Sequence, residues 1–271
     1  MSAIDYALVA KVCAERAGLS VDPAKPYLID SRLAPAARRE GFESAAELVA
    51  ALKGGEERLG AAVAEAMAPA ETAFFRDREV FERLWEVEAP ALARRRPDGV
   101  VRIWSAGCAT GQEIYSLAMM QAEAPAPTGR VELYASDFAE RLLDRARAGA
   151  YSSFEVQRGL SARELVRHFE NRGDQFQLSR PVRQAVRWRR VNLLEDLTPL
   201  GAFDIVLCRH VLGVLTEAAQ ARTLQRLEGA VAPGGLLVLG ANETLAAGSA
   251  FAAANGLAGA YVRVDRARDA A

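Results

Sequence analysis

Residues 100–120, VVRIWSAGCATGQEIYSLAMM, join an apolar run to two glycines and then to a second apolar run at helical spacing. Val100, Val101, Ile103 and Trp104 are β-formers, Gly107 and Gly111 bracket a turn, and Leu117 to Met120 begin a helical face. Such a turn lets backbone approach a ligand closely, or it simply joins a strand to a helix. Further on, RVELYASD repeats the strand pattern and ends on Asp137. A carboxylate there can accept hydrogen bonds from ribose hydroxyls or cap a following helix. The chain has neither GxGxxG nor GxxxxGK[ST], so no phosphate cradle accompanies the pair. A nucleoside cofactor without phosphate fits best, and S-adenosyl-L-methionine, with adenine, ribose and an amino acid, is such a molecule.

Other chemistries are poorly supplied. His168 and His210 are the two histidines, too few for a histidine metal site, and no Ser/His/Asp set is evident, so no metal is expected. Cys13, Cys108 and Cys208 are widely spaced without a CxxC, which argues against both disulfide framework and zinc and for a reducing, cytoplasmic compartment. A net charge of −1 provides no general field for nucleic acid or an anionic membrane. The start, MSAIDYALVAKVCAERAG, is amphipathic and carries acidic residues, unlike a signal peptide, and no apolar run is long enough to span a bilayer.

Two regimes position the glycine turn. Residues 1–80 read as a helical domain, with Leu8, Val9 and Val12 on one apolar face, Ala45 to Leu52 on another, and Gly18, Gly41 and Gly54-Gly55 as stops. Residues 81–271 alternate strands and helices, with strands expected at 100–107, 130–137, 186–193, 203–209, 235–241 and 260–265. The fold class is therefore α/β, a mainly parallel Rossmann-like sheet covered on both faces. Residues 151–190 break the rhythm. QFQLSRPVRQAVRWRRV has the short alternation of a small antiparallel meander, read as an inserted β-subdomain at about 170–190.

Several motifs in order then resemble the CheR family, the S-adenosylmethionine-dependent methyltransferases that esterify glutamates of bacterial chemoreceptors. They are GLSVDPAKPYLIDSRL, ETAFFRD at 71–77, IWSAGCATGQEIYSLAM, SDFAERLLDRARAGAY, VNLL at 191–194, FDIVLCRHV at 203–211 and APGGLLVLGANETL. The resemblance implies a class I methyltransferase fold and a residue map. Thr72 and Arg76 lie over the cofactor, with Arg76 as the catalytic residue near its methyl and carboxylate end. Gly107, Gly111 and Glu113 hold the methionine moiety, Asp137 the ribose, and Asn192 and Leu193 the adenine, while His210 and Val211 complete the cofactor contacts. From the residues alone, Arg76 can equally be a surface ion-pair partner and Asn192 a turn residue. Phe74 and Phe75 read as core. In the family a basic second helix reads receptor methylation helices; here Pro35 and Ala36 stand for its adjacent arginines, leaving Arg32, Arg38 and Arg39. The short connection ENRGDQFQL resembles the branch that does not bind a receptor's C-terminal pentapeptide. A monomer is expected.

The implied chemistry needs no general base, because a glutamate of pKa near 4.3 is already ionised at neutral pH. Alignment of carboxylate, methyl and sulfur, with water excluded, is what the protein must supply. The chain departs from the family pattern at Ala70 (usually asparagine), Ile114 (usually proline) and most sharply in CRHVLGVL, where the family has CRNVxIYF. His210 stands for asparagine, Gly213 for an aliphatic residue, and Val214 for a tyrosine thought to position the substrate carboxylate. Two readings stay open: an active protein-glutamate O-methyltransferase, or a CheR-like protein that binds S-adenosylmethionine or S-adenosylhomocysteine and regulates or scaffolds a chemosensory pathway.

Overall fold

A computed structural model describes residues 4–22, 24–123, 129–245 and 249–264, so the first three residues of the amphipathic start and the last of the expected 260–265 strand lie outside the described residues. Four helices come first: α1 (Tyr6–Ala17), α2 (Pro26–Arg39), α3 (Ala45–Leu52) and α4 (Glu57–Met67). Asp5 caps α1 by accepting from the Leu8 amide, and Ser44 caps α3 from Glu47; each satisfies a donor that a helix start leaves unpaired. Val9, Cys13, Leu33, Leu48 and Val63 are fully buried between these helices. A short segment, α5 (Arg78–Arg83) and α6 (Ala89–Ala93) joined by a π turn, leads into the sheet.

The α/β part runs β1 (Val100–Ala106), α7 (Gln112–Glu123), β2 (Arg130–Asp137), α8 (Glu140–Ala148), β3 (Ala150–Ser152), α9 (Ser153–Gln157), α10 (Ala162–His168), β4 (Phe169–Arg172), β5 (Gln175–Leu178), α11 (Arg180–Gln184), β6 (Val186–Arg190), β7 (Phe203–Cys208), α12 (Glu217–Ala230), β8 (Val231–Leu239), β9 (Phe251–Ala253) and β10 (Ala260–Arg263). The main sheet has the order β6-β2-β1-β7-β8-β10-β9. Its first five strands are parallel, with Trp104 level with Tyr134 and Ile103 with Ile205, while β10 runs antiparallel to both β8 and β9. β7 is buried along its whole length, as a central strand covered on both faces must be. The chain winds outward from β1 in one direction and resumes at β7 in the other. Ligands of open α/β sheets bind at such a reversal, beyond the carboxyl ends of the strands. This is the mainly parallel, Rossmann-like sheet expected from the sequence.

The second, three-stranded antiparallel sheet has the order β3-β5-β4. It differs from the meander expected at 170–190, because residues 186–190 pair with β2 as the edge of the main sheet and Ala150–Ser152 supplies the third strand. The alternation in VRWRR marks a half-exposed edge strand as readily as a meander strand, so periodicity could not separate them. Residues 172 and 175 pair across a two-residue turn, which makes β4–β5 a tight hairpin. An aromatic triangle fastens the small sheet to the segment before α5, and Tyr151 ties it to the turn after β1. Phe74 meets Tyr151 at 5.0 Å and Phe169 at 5.6 Å, both edge-on, and the Tyr151 hydroxyl donates to the Thr110 carbonyl in the glycine turn at 2.7 Å. Phe74 is completely buried there and Phe75 nearly so.

This packing generates a test. Phe74→Ala should lower unfolding free energy by about 3–5 kcal/mol and Tyr151→Phe by about 1–2 kcal/mol. Urea denaturation measures both, and a Phe74→Ala variant as stable as the parent would contradict the triangle.

Candidate functional site

Beyond the carboxyl ends of β1, β2 and β7 lies a cavity of about 940 Å³, part of it open to solvent. Its floor is the turn after β1. Gly107 has φ of 80°, and a side chain there would stand 2.7 Å from Val211. The amides of Gly107 and Cys108 both donate to the Ser136 carbonyl at 2.9 Å, locking the turn to β2. One turn end thus faces the cavity with bare backbone. The other does not: Gly111 is absent from the cavity wall, and a side chain on it would meet Trp188 at 2.9 Å and Ala146 at 3.1 Å. Gly111 thus allows close packing of α7 against α8 and β6, and its φ of 89° favours glycine; sequence cannot tell which side of a turn is crowded.

The acidic residues are pinned first by protein. Asp137, at the end of β2, accepts from the Ala109 and Ala139 amides at 3.0 Å each, so it ties the turn to the start of α8 while its side chain borders the cavity. Burial pushes its carboxyl up to about 6, against the pull of those amides and of Arg141. Glu113, in the first turn of α7, accepts from Ser105 Oγ at 2.9 Å and from Arg209 at 3.1 Å. Both of its oxygens thus already have partners. Asn192 donates to the Arg16 carbonyl at 2.7 Å and accepts from the Leu194 amide at 3.1 Å. Its side chain is a turn brace and a tie to α1, and its contribution to the wall is the position of residues 191–194.

Thr72, Arg76, Leu193, His210 and Val211 also line the cavity, and Ala17, Leu19, Ala68 and Pro69 from the helical domain close it above. Arg76 is exposed, and among the described residues its guanidinium has no hydrogen-bond or ion-pair partner. His210 adopts φ of 60°, and its Nε2 is buried without a partner. Burial first, then Arg76 and Arg209, lower its pKa, with Glu243 and Glu113 opposing. The ring is accordingly neutral at physiological pH.

Sequence reasoning missed Arg209. Its guanidinium is almost wholly buried and contacts Glu113, the Asp77 carboxylate and the Arg76 carbonyl, at 2.9 Å for the last. The available signal was an arginine directly after a strand with six apolar or buried positions, where a charge must find partners. Among the basic residues expected on α2, Arg32 donates to the Met67 carbonyl at 3.0 Å and so closes the end of α4, which leaves it less free than expected. Arg38 and Arg39 are exposed. Arg39 faces a groove shared with Arg32, Arg141 and Glu71. Among the described residues no cluster of three or more His, Cys, Asp or Glu side chains could hold a metal, and no helix is long and apolar enough to cross a membrane.

Residues 70–256 match the CheR methyltransferase SAM-binding domain, and residues 4–67 match the CheR methyltransferase all-alpha domain. The chain belongs to the CheR methyltransferase family. It is 35% identical over 247 residues to chemotaxis protein methyltransferase 1 of Pseudomonas aeruginosa, covering 89% of this chain and 90% of the relative. It is 35% identical over 238 residues to chemotaxis protein methyltransferase Cher2 of Pseudomonas putida, covering 84% and 86%, and 35% identical over 235 residues to chemotaxis protein methyltransferase 1 of Vibrio cholerae, covering 84% of each. The cavity at the strand reversal thus lies mostly within the part of the chain that matches the SAM-binding domain, with residues of the all-alpha domain at its roof.

The buried ion cluster in this CheR-family site predicts a large stability effect. Arg209→Met leaves Glu113 and Asp77 without their cation, and should cost about 3–5 kcal/mol in chemical denaturation at neutral pH. A cost below about 1 kcal/mol would show that the cluster is not what holds the 71–77 segment.

Proposed function

We propose that this protein transfers the methyl group of S-adenosyl-L-methionine to glutamate carboxylates on the cytoplasmic methylation helices of chemoreceptors, releasing S-adenosyl-L-homocysteine. The observation that carries this reading is the placement of Arg76. It is a free guanidinium at the mouth of a cavity whose inner wall holds Asp137 and Glu113. A carboxylate acceptor is drawn to the mouth and a cationic sulfonium to the acidic interior. The bound cofactor supplies an electrophilic methyl; the chain orients, pairs charges and keeps water out.

In this reading Asp137 accepts from the ribose hydroxyls, Asn192 and Leu193 border the adenine, and Thr72, Gly107 and Glu113 flank the methionine end, with His210 and Val211 between. Arg76 holds the incoming carboxylate, which attacks the methyl carbon in line with the departing sulfur. The C–O bond forms as the C–S bond breaks, and two opposite charges disappear together. That loss of charge favours a site shielded from water. No proton moves, so the neutral His210 is not required as a base.

Docking is assigned to the face of α2 bearing Arg38 and Arg39, with Arg32 and Arg141 behind them at the groove. An acidic helix is steered by such a patch in a salt-sensitive way. The tight β4–β5 hairpin supports a receptor interaction without a C-terminal tether. Val214, which borders the cavity where the family tyrosine is expected, supports the second reading of a cofactor-binding regulatory protein with weak turnover.

Transfer of labelled methyl from S-adenosylmethionine to receptor cytoplasmic fragments tests the function. Single-turnover rates should fall about 100-fold in Arg76→Ala, and should rise in a His210→Asn, Val214→Tyr double variant with little change in cofactor affinity. Absence of transfer by both parent and double variant, with S-adenosylhomocysteine still bound, would favour the regulatory reading.

The raised pKa of Asp137 makes a second prediction. Ribose hydroxyls donate to the ionised carboxylate, so binding favours ionisation and lowers a pKa that starts at about 6. Affinity for S-adenosylhomocysteine should therefore be full above pH 7 and fall as pH drops through 6, reaching about tenfold weaker near pH 5. Calorimetry from pH 5 to 7.5 follows this. Asp137→Asn should bind more weakly and lose the slope; a slope retained in that variant would remove Asp137 from the ribose.

A further inference from the structure

Glu243 follows β8 by a short turn and is not part of the cavity wall. Its carboxylate nevertheless organises that wall. Oε2 accepts from the His210 amide at 2.7 Å and from the Gly240 amide at 2.8 Å, and Oε1 accepts from the Gly213 amide at 3.1 Å. Two of these three donors lie on the loop after β7, the third on the end of β8. The loop carries His210 in its left-handed conformation and Val214, and both residues border the cavity and also the outer groove beside α2. Gly240 leaves room for the imidazole: a side chain there would stand 2.7 Å from His210 Nδ1. On its far side the same loop is paired to the helical domain. Ser20 donates to the Val214 carbonyl at 2.9 Å, and the Thr216 amide donates to the Gly18 carbonyl at 2.8 Å.

We propose that Glu243 is a positioning residue for methyl transfer, a carboxylate clamp that fixes loop 210–214 between β8 and the helical domain so that the acceptor end of the cavity is preformed. The proposal rests on the methyltransferase reading above. Three amide donors converging on one side chain, two at one oxygen and one at the other, call for a group with two acceptor oxygens. A glutamine keeps one oxygen but turns an NH2 toward one amide, where donor meets donor. An alanine leaves all three amides open to water or unpaired. Because Glu243 is outside the cavity wall and reaches it only through the backbone of the loop 210–213 and of Gly240, its loss should loosen that loop first.

The test uses full-length parent, Glu243→Gln and Glu243→Ala. In Glu243→Gln, hydrogen exchange at Gly213 and His210 should speed up by about tenfold or more while amides inside β7 and β8 keep their protection. S-adenosylhomocysteine affinity should stay within about threefold of the parent, and kcat on a receptor fragment should fall about tenfold or more with the cofactor KM unchanged. Unchanged exchange in Glu243→Gln would overturn the clamp. Cofactor affinity falling in step with kcat would overturn the positioning role in favour of cofactor binding, and a loosened loop with full kcat would show that transfer does not depend on it. If Glu243→Ala does not fold, the glutamine variant decides alone. If the parent transfers no methyl to any receptor fragment, the functional reading fails, and the exchange data still decide whether the clamp exists.

Discussion

The buried guanidinium of Arg209 is the constraint around which the site is assembled. A charge removed from water at the end of a central strand is tolerated only with close counter-charges, and here they reach both terminal nitrogens of the guanidinium while its Nε is left without a partner. Here they come from two places far apart in sequence: Glu113 at the start of α7, and the Asp77 carboxylate with the Arg76 carbonyl in the segment before α5. That segment contains two non-glycine residues in the left-handed region, Phe75 at φ 47° and Asp77 at 59°. Such residues cost on the order of 1–3 kcal/mol each unless the surroundings compel them. Arg209 compels Asp77, and Ser116 Oγ, accepting from the Phe75 amide at 2.9 Å, compels Phe75. With its neighbours fixed on both sides and its own carbonyl bound, Arg76 has a set backbone and a free head group, which is the combination an anion-receiving residue needs.

Charge is graded through the cavity in consequence. Of the two carboxylates, Asp137 at the end of β2 has a pKa raised by burial to about 6 and stays mostly ionised at neutral pH, while Glu113 in the first turn of α7 is paired with Arg209. Arg76 sits at the exposed mouth. The two histidines play no part in balancing these charges. His210 is held neutral by desolvation and by the neighbouring arginines, and His168 is buried against Glu123 at 2.7 Å, away from the cavity wall. A site arranged this way suits a reaction that joins an anion and a cation without moving a proton, and it explains how a chain with so few titrating groups near pH 7 carries the chemistry of a methyltransferase domain.

Much of this was legible in the residues. The β1 run, the acidic end of β2 and the alternation of strands and helices identified the sheet and the crevice, because a buried parallel strand and a glycine turn each leave a local mark. What was not legible is where side chains spend their hydrogen bonds. Asn192 stands in the cavity wall as the motif implied, yet both ends of its amide serve the backbone of Arg16 and Leu194. Gly111 sits in the expected turn, with Trp188 and Ala146 crowded against it. Arg32 has the charge for docking and uses it on the end of α4. The strands β3 and β9, three residues each, are set by partners rather than by their own sequence, so no periodicity announced them.

The seam between the helical domain and the sheet decides how departures in the CRHVLGVL segment act. The isolated bridge between Leu19 and Leu215, the Asn192 tie to Arg16, the Arg190 ion pair with Glu65 and the three bonds from Arg141 to the last carbonyls of α4 make the seam continuous. These contacts run through backbone and through residues outside positions 210, 213 and 214, apart from the bond from Ser20 to the Val214 carbonyl, which any residue supplies. The seam that holds the helical domain over the cavity is therefore independent of the side chains at 210, 213 and 214. What changes is the side-chain chemistry presented at one edge of the cavity. Loss of one hydroxyl at such an edge costs an amount typical of one hydrogen bond, about 1–3 kcal/mol.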